Sequence, residues 1–317
     1  MLHLLNGDAT ARVFARTGLA GDMLVWRDIL VEGPVATPGE RAPWLAEHLG
    51  IDADAYVRGR REEAAALAAA ERHDEVVLWF EQDLFCAVNL WFLLDWFAAR
   101  GGSPARLSLV FPNEVDGVDG FRGLGTLDAW RLASLFERRT PVTGAMLALG
   151  RDAFRAYASP DPRALETLRA LGGAELPFLA TAVRCHLGRF PSVASGVDEV
   201  EAEALSALEG GPVDFSRLFT TVGVSARVRP HGMGDLQFAA RLRELGRGPH
   251  PLVTLDPGEP APRLWTLALT PLGRDVGAER ADWLAHHRLD RWLGGVHLLG
   301  PRPPWRWDSR ARRLVAS

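Results

Sequence analysis

Lysine is missing from the sequence, because all 36 basic side chains counted as lysine or arginine are arginine. A phosphate-binding loop of the G-x-x-x-x-G-K-[S/T] type needs its lysine, so we expect no ATP site of that kind. Enzymes that use pyridoxal phosphate hold it as a Schiff base on a lysine, which disfavours that cofactor as well. A bias toward arginine is also typical of GC-rich genomes, so the absence of lysine by itself indicates no particular function.

Cysteine is nearly as scarce. The chain has two, Cys86 and Cys185, and each lies within an apolar segment. We predict two buried free thiols rather than a disulfide, which is typical of proteins from a reducing compartment. Residues 1–9 have no basic stretch ahead of an apolar one, so no secretory leader is expected. Together these features predict a cytoplasmic protein.

Long uninterrupted apolar runs are also missing. The most apolar stretch, residues 76–99, contains Glu81, Asp83 and Asp95, and is too polar to span a bilayer. The formal net charge of -4 gives no bulk attraction to nucleic acid or to a membrane surface. An apolar fraction of 47% is that of a globular protein. We therefore expect a soluble chain without a membrane partner.

Apolar runs alternate with helical patterns over residues 1–135. Four runs resemble strands, at residues 2–5, 22–26, 75–80 and 106–111. Each run is continuously apolar, which is typical of a parallel sheet that is covered by helices on both faces. The sequence therefore predicts an α/β domain, Rossmann-like, with a mainly parallel sheet of about four or more strands.

The remainder of the chain is predicted as a helical connector, residues 136–194, and a last domain, residues 195–317. In that domain three helices precede two strands, which is the order of a winged helix. Residues 195–275 contain 11 acidic residues and 8 arginines, a balance of -3 that disfavours DNA reading. Residues 276–317 form an aromatic tail with 8 arginines and 4 acidic residues.

Polar residues follow each predicted strand of the α/β domain. Since ligands bind at the carboxyl ends of parallel strands, we expect these residues to form a ligand site. The residues concerned are Asn6, Gly7 and Asp8 after the first strand, Asp28, Glu32 and Gly33 after the second, Glu81 and Asp83 after the third, and Asn113 after the fourth. Each of these residues has a simpler alternative role. Asp8 and Asp83 could be helix caps and nothing more, and the others could belong to ordinary turns.

Two kinds of chemistry fit such a site. Asp8, Asp28, Glu81 and Asp83 are candidate ligands for Mg²⁺, which prefers oxygen. Crowded carboxylates can instead raise the pKa of one member for acid–base work, which makes Asp8, Glu81 and Asp83 the catalytic candidates. Two histidines are weaker ligand-binding candidates: His3 within the first strand, where a core role is the alternative, and His297 in the tail. The sequence has no H-E-x-x-H or paired C-x-x-C metal motif.

Three segments in order, HLLNGDATARVF, VWRDILVEGPV and VVLWFEQDLFCAVNLWFLL, resemble the bacterial domain-of-unknown-function family 1835. They cover about the first 135 residues, and LTPLGRDV, DRWLGGVHL and WRWD are similar to the C-terminal region of longer members. The resemblance implies no reaction. It implies that the following are motif positions: His3, Asn6, Gly7, Asp8, Asp28, Gly33, Pro34, Glu81 and Asp83.

Two functions follow as hypotheses. The first is a small-ligand site for a phosphate-bearing or nucleotide-like compound, in a hydrolase or transferase that is metal-assisted if Mg²⁺ binds. The second is a ligand-responsive regulator that binds DNA through Arg241, Arg243 and the arginine-rich tail. A weaker third is a protein-interaction scaffold that uses the tryptophans of the tail, which are Trp292, Trp305 and Trp307.

Overall fold

The computed structural model describes residues 1–100, 106–171, 175–176, 178–258 and 261–316. Its centre is a five-stranded sheet in the order β2-β1-β3-β4-β5. The strands are β1 (Leu2–Asn6), β2 (Asp22–Trp26), β3 (Glu75–Trp79), β4 (Arg106–Val110) and β5 (Thr140–Pro141). The first four strands pair in parallel and β5 is antiparallel to β4. The prediction of a mixed α/β fold with a mainly parallel sheet is confirmed.

Helices follow the strands in the alternating order that the sequence indicates. The helices up to residue 187 are α1 (Asp8–Phe14), α2 (Pro38–Leu49), α3 (Ala53–Ala68), α4 (Leu84–Ala98), α5 (Ala129–Ser134), α6 (Gly144–Ala158), α7 (Arg163–Leu171) and α8 (Leu179–Leu187). The helix α4 is apolar on all sides and ten of its residues are buried, because it lies between the sheet and α6.

The two faces of the sheet are covered by different helices. Phe14 of α1 packs with Leu5 and Val77, whereas α4 packs with Leu4 and Leu78 on the opposite face. Successive side chains of a strand point to opposite faces, so β1 and β3 present apolar residues to both helices. The chain leaves β1 and β3, which are neighbours in the sheet, toward opposite faces. A crevice therefore opens between their carboxyl ends.

The C-terminal region contains four helices and several small antiparallel sheets. Its helices are α9 (Glu199–Ala207), α10 (Phe215–Val224), α11 (Asp235–Leu245) and α12 (Pro271–Gly277). Its first sheet has the order β6-β8-β7, formed by β6 (Val213–Asp214), β7 (Val253–Asp256) and β8 (Thr266–Leu269). These elements share a hydrophobic core made of residues between 197 and 283.

Two antiparallel pairs of strands complete the tail: β9 (Leu289–Leu293) with β10 (Val296–Gly300), and β11 (Trp305–Asp308) with β12 (Arg313–Ala316). Leu293, Leu298 and Trp307 are buried in the same core as α4 and the sheet. The tail therefore packs on the α/β region, and Trp307 is 4% exposed. This leaves that tryptophan little surface for a partner protein. The predicted domain boundaries stay a prediction.

Two further sequence predictions concern burial. Cys86 and Cys185 are both buried free thiols, as predicted. Among the residues that the structure describes, no helix is both long enough and apolar enough to cross a membrane.

Candidate functional site

The crevice between β1 and β3 is closed at its base by amide side chains. Asn6 ends β1, and its Nδ2 donates a hydrogen bond to the Sγ of Cys86 in α4 at 2.9 Å. Asn89, one turn further along α4, donates from Nδ2 to the Oδ1 of Asn6 at 3.1 Å. The same Nδ2 donates to the carbonyl of Asp28 at 3.0 Å. Asn6 thus joins the end of β1 to the beginning of α4, and its side chain is already engaged there.

Glu81 and Asp83 follow β3 and form a close pair, which we call the carboxyl pair. Their carboxylate oxygens and the Sγ of Cys86 all lie within 4.8 Å of one another, and no other such group of three occurs among the described residues. Asp83 is the N-cap of α4, because its Oδ1 accepts a hydrogen bond from the Cys86 backbone N–H at 2.7 Å. Glu81 accepts a hydrogen bond from the Leu124 backbone N–H at 2.7 Å.

The surroundings of the carboxyl pair disfavour two negative charges. Burial raises the pKa of Glu81, and the neighbouring Asp83 raises it further, against the opposing effect of backbone N–H groups of Leu124 and Gly125. Burial also raises the pKa of Asp83, although hydrogen bonds from Cys86 lower it. Two carboxyl groups this close interact strongly, so they titrate as a unit. The pair therefore keeps a proton at pH values at which isolated carboxyl groups are ionised.

Two glycines allow loops to lie directly against the carboxyl pair. Gly123, with φ of +135°, lies so close to Glu81 that a Cβ atom would overlap with its Oε2. Gly232, with φ of +63°, lies equally close to Asp83. Both have a positive φ, which glycine adopts without strain. The sequence string G-F-R-G-L-G, residues 120–125, signals the first approach, but no local pattern signals that of Gly232.

Two cavities, of about 260 Å³ and about 650 Å³, meet at this point. Both are lined by the carboxyl pair and by two arginines, Arg122 and Arg229. Neither arginine forms an ion pair with any residue in the described part of the chain. Asn113, a predicted ligand-binding residue, also lines the smaller cavity. The two arginines were missed in the sequence because they lie in loops without periodicity.

Asp8 and Asp28 do not join the carboxyl pair. Asp8 is exposed, and its Oδ1 accepts a hydrogen bond from Nε of Arg27 at 2.9 Å. Asp28 is buried and accepts a hydrogen bond from the Tyr56 hydroxyl at 3.0 Å. It also pairs with Arg41 and Arg60, each at 3.5 Å. The predicted set of four magnesium-binding carboxylates is thus not assembled, because the loop after β2 uses Asp28 to neutralise buried arginines.

Glu32 is used in a similar way. It is 3% exposed and accepts hydrogen bonds from Arg189 at 2.6 Å, Gln237 at 3.0 Å and Arg241 at 3.3 Å. Burial alone would raise the pKa of Glu32, but Arg189 and Arg241 hold it below its ordinary value. Glu32 therefore joins the loop after β2 to the end of α8 and to α11. The adjacent Gly33 lies against the ring of Trp44.

The three other candidates lie apart from the carboxyl pair. His3 is buried in the core, where its Nδ1 accepts a hydrogen bond from Nε1 of Trp79 at 3.2 Å. His297 stacks on Trp292 and lies 2.7 Å from Oδ1 of Asp290, and it lines neither cavity. Gly7 lies between β1 and α1, and its backbone N–H donates to the Trp26 carbonyl at 3.0 Å.

The raised pKa of Glu81 gives a testable pH dependence. Above the ordinary carboxyl pKa the unfolded chain releases this proton while the native state keeps it, so native stability falls as the pH rises. We expect Glu81→Gln, which has no proton to release, to lose less stability than wild type between about pH 5 and about pH 9, by on the order of 1 kcal/mol or more. Urea unfolding at a series of pH values measures this. If the free energy of unfolding changes with pH in the same way for wild type, Glu81→Gln and the exposed control Glu47→Gln, the predicted effect of Glu81 is wrong.

Comparison of the chain with models of known protein families gives no match, and comparison with curated proteins gives none either.

Proposed function

We propose that the crevice binds a small anionic ligand, phosphate-bearing or nucleotide-like, and that the protein is a hydrolase or transferase acting on it. The observation that carries this proposal is that the carboxyl pair lines the same two cavities as Arg122 and Arg229, in surroundings that raise the pKa of Glu81. Guanidinium groups recognise phosphate and carboxylate through paired hydrogen bonds. A carboxyl group with a raised pKa is a suitable general acid near neutral pH.

The two members of the pair have different environments and hence different proposed roles. Burial and the neighbouring Asp83 both favour the protonated form of Glu81, so Glu81 is the proposed general acid that donates a proton to a leaving oxygen. Asp83 accepts hydrogen bonds at the start of α4, which favour its ionised form. It is the proposed general base that takes a proton from water or from an acceptor hydroxyl. Asn113 is proposed to orient the ligand.

A divalent cation is the alternative occupant of the carboxyl pair. Glu81 and Asp83 offer the oxygen ligands that Mg²⁺ prefers, and a ligand phosphate would supply more. The third member of the group is the Cys86 thiol, and burial raises its pKa well above the ordinary value. A protonated thiol is a poor ligand for Mg²⁺. Mg²⁺ binding needs both carboxyl groups ionised, so it would compete with the retained proton and strengthen as the pH rises.

Thermal unfolding tests this proposal with a panel of inorganic phosphate, nucleotides, sugar phosphates and short carboxylic acids, each with and without Mg²⁺. A compound at a hundred times its Kd should stabilise wild type by about 2.7 kcal/mol. We expect Arg229→Met to lose most of this stabilisation, because it removes a cation that lines both cavities, and Asp8→Asn to keep it. A stabilisation that disappears in Asp8→Asn but persists in Arg229→Met would contradict the proposal.

For the finer fold, we propose a Rossmann-like domain followed by a winged-helix-like unit within residues 195–317. The support for the latter is the order of α9, α10 and α11 with the antiparallel sheet β6-β8-β7. DNA binding by this unit is disfavoured, because Arg241 in α11 is buried and bonded to Glu32. A helix that reads DNA must expose its basic side chains. Salt-dependent binding of duplex DNA would instead favour a regulator.

We also propose a bacterial, cytoplasmic protein related to domain-of-unknown-function family 1835. The support is the order of the three N-terminal motifs, together with the buried free thiols Cys86 and Cys185. Two of the motif positions, Glu81 and Asp83, line the cavities of the crevice.

A further inference from the structure

The two cavities that meet at the carboxyl pair have different walls. The larger one is lined by apolar residues of α10, α11 and the loop between them: Phe219, Val222, Val224, Val228, Met233 and Phe238. Val222, Val228 and Phe238 are almost fully buried, so the apolar surface that a ligand can cover comes from Phe219, Met233 and Val224, which is 45% exposed. The smaller cavity has more polar side chains, Gln82, Asn113 and Thr181, beside Phe121 and Phe178.

Positive charge lies at the border between the cavities. Arg122 comes from the loop after β4 and Arg229 from the loop between α10 and α11, so the two guanidinium groups are supplied by different loops. Both side chains are exposed, and both line the two cavities. Within the described ranges neither has a carboxylate at ion-pair distance. Two cations that line the same cavities, neither with a carboxylate partner among the described residues, are suited to hold one anionic group.

We propose that the ligand of this cleft is an amphiphilic organic anion: Arg122 and Arg229 hold its charged group, and its apolar body fills the larger cavity against α10. An apolar wall gains free energy only if an apolar group covers it, at about 25 cal/mol per Å². Inorganic phosphate and simple sugar phosphates have no such group. The inference rests on the proposed function for the place of reaction, but the binding itself needs no proton transfer.

Two fluorescent probes of nearly the same shape separate the two parts of this claim. The anionic probe is 8-anilino-1-naphthalenesulfonate, and the neutral one is N-phenyl-1-naphthylamine, which lacks the sulfonate. We expect Arg122→Met and Arg229→Met each to raise the Kd of the anionic probe about tenfold, which corresponds to about 1.4 kcal/mol. The same variants leave the neutral probe unchanged. Arg217→Met, an exposed arginine of α10 that lines neither cavity, is the matched control and alters neither Kd.

The apolar wall is tested by Phe219→Ser, which should weaken binding of both probes, with circular dichroism and Tm confirming that each variant folds. Equal Kd values of the anionic probe for wild type, Arg122→Met and Arg229→Met would overturn the inference, as would absence of binding to wild type.

Glu81→Gln separates this inference from the proposed function, because it should keep probe binding while losing acid–base chemistry. Arginine-dependent binding without a retained carboxyl proton would disprove the chemistry alone. A retained proton without arginine-dependent binding would disprove the ligand class alone.

Discussion

Glu32→Gln is expected to lower the free energy of unfolding by about 3–5 kcal/mol, because it breaks a buried ion pair on one side only. Glutamine can still accept one hydrogen bond, but Arg189 and Arg241 would keep their charges without the carboxylate that neutralises them. Urea unfolding near neutral pH measures the difference. Since the arginines lower the pKa of Glu32, its contribution is present above the ordinary carboxyl pKa and is lost as the pH falls through the lowered value. The difference in the free energy of unfolding between wild type and Glu32→Gln should therefore become smaller at acidic pH.

The matched control for this substitution is Glu40→Gln. Glu40 lies in the first turn of α2, where its carboxylate accepts hydrogen bonds from Thr37 in an exposed capping box. Glutamine preserves such a capping box, so we expect a change below about 1 kcal/mol. An effect of Glu32→Gln as small as that of the control would show that Glu32 does not stabilise the fold in this way. Glu32 would then again be a candidate for ligand binding.

Arg291→Met is expected to have the largest effect on stability. Arg291 is 2% exposed and lies among three carboxylates: it donates to Asp198 at 3.1 Å, to Glu244 at 2.7 Å and to Glu201. Methionine replaces the volume but leaves the three acidic groups together without their shared cation. The loss should exceed about 4 kcal/mol, which is a large part of the stability of a typical domain. It should grow as the pH rises through the pKa of Asp198, which burial and the neighbouring Glu201 raise to about 6, because Asp198 then carries a charge without its cation.

Thermal unfolding as a function of pH measures this loss, with Arg280→Met as the control. Arg280 forms an exposed ion pair with Asp275, for which we expect a change of at most about 1 kcal/mol. If Arg291→Met does not fold, the double variant Arg291→Met with Glu201→Gln removes one uncompensated charge and should regain part of the stability. Equal Tm values for Arg291→Met and Arg280→Met would contradict the account.

The buried ion pairs of Glu32 and those of Arg291 also support the crevice. Glu32 is joined to Gln237 and Arg241 of α11, and Arg291 is joined to Glu244 near the end of the same helix. The loop that carries Arg229 and Gly232 leads directly into α11. The buried ion pairs thus hold in place one wall of the two cavities, so we expect their loss to weaken ligand binding as well as the fold.

The sheet and one part of the crevice could be predicted from the sequence. Continuous apolar runs indicate strands that are buried on both faces, and the ends of parallel strands share one edge. Glu81, Asp83 and Asn113 line the smaller cavity for that reason. The positions of the apolar runs also show which residues follow each strand, and this does not depend on how the rest of the chain packs.

The rest of the site depends on tertiary packing that no local pattern records. Asp8, Asp28 and Glu32 also follow strands, but each pairs with an arginine, and the partner of Glu32 at the end of α8 is distant in sequence. Arg122 and Arg229 are the opposite case: neither has an ion-pair partner among the described residues, and this becomes visible only once both loops are in place. The sequence likewise did not indicate that the hairpins of the tail would pack into the core of the α/β region.

A carbon-13 NMR titration of the side-chain carboxyl groups tests whether Glu81 and Asp83 retain a proton between them. Spectra of wild type, Glu81→Gln and Asp83→Asn assign the two resonances. We expect one carboxyl group in wild type to be still protonated at about pH 7, well above the ordinary carboxyl pKa of about 4, and its signal to disappear in Glu81→Gln. Complete ionisation of every carboxyl group by about pH 6 would contradict it.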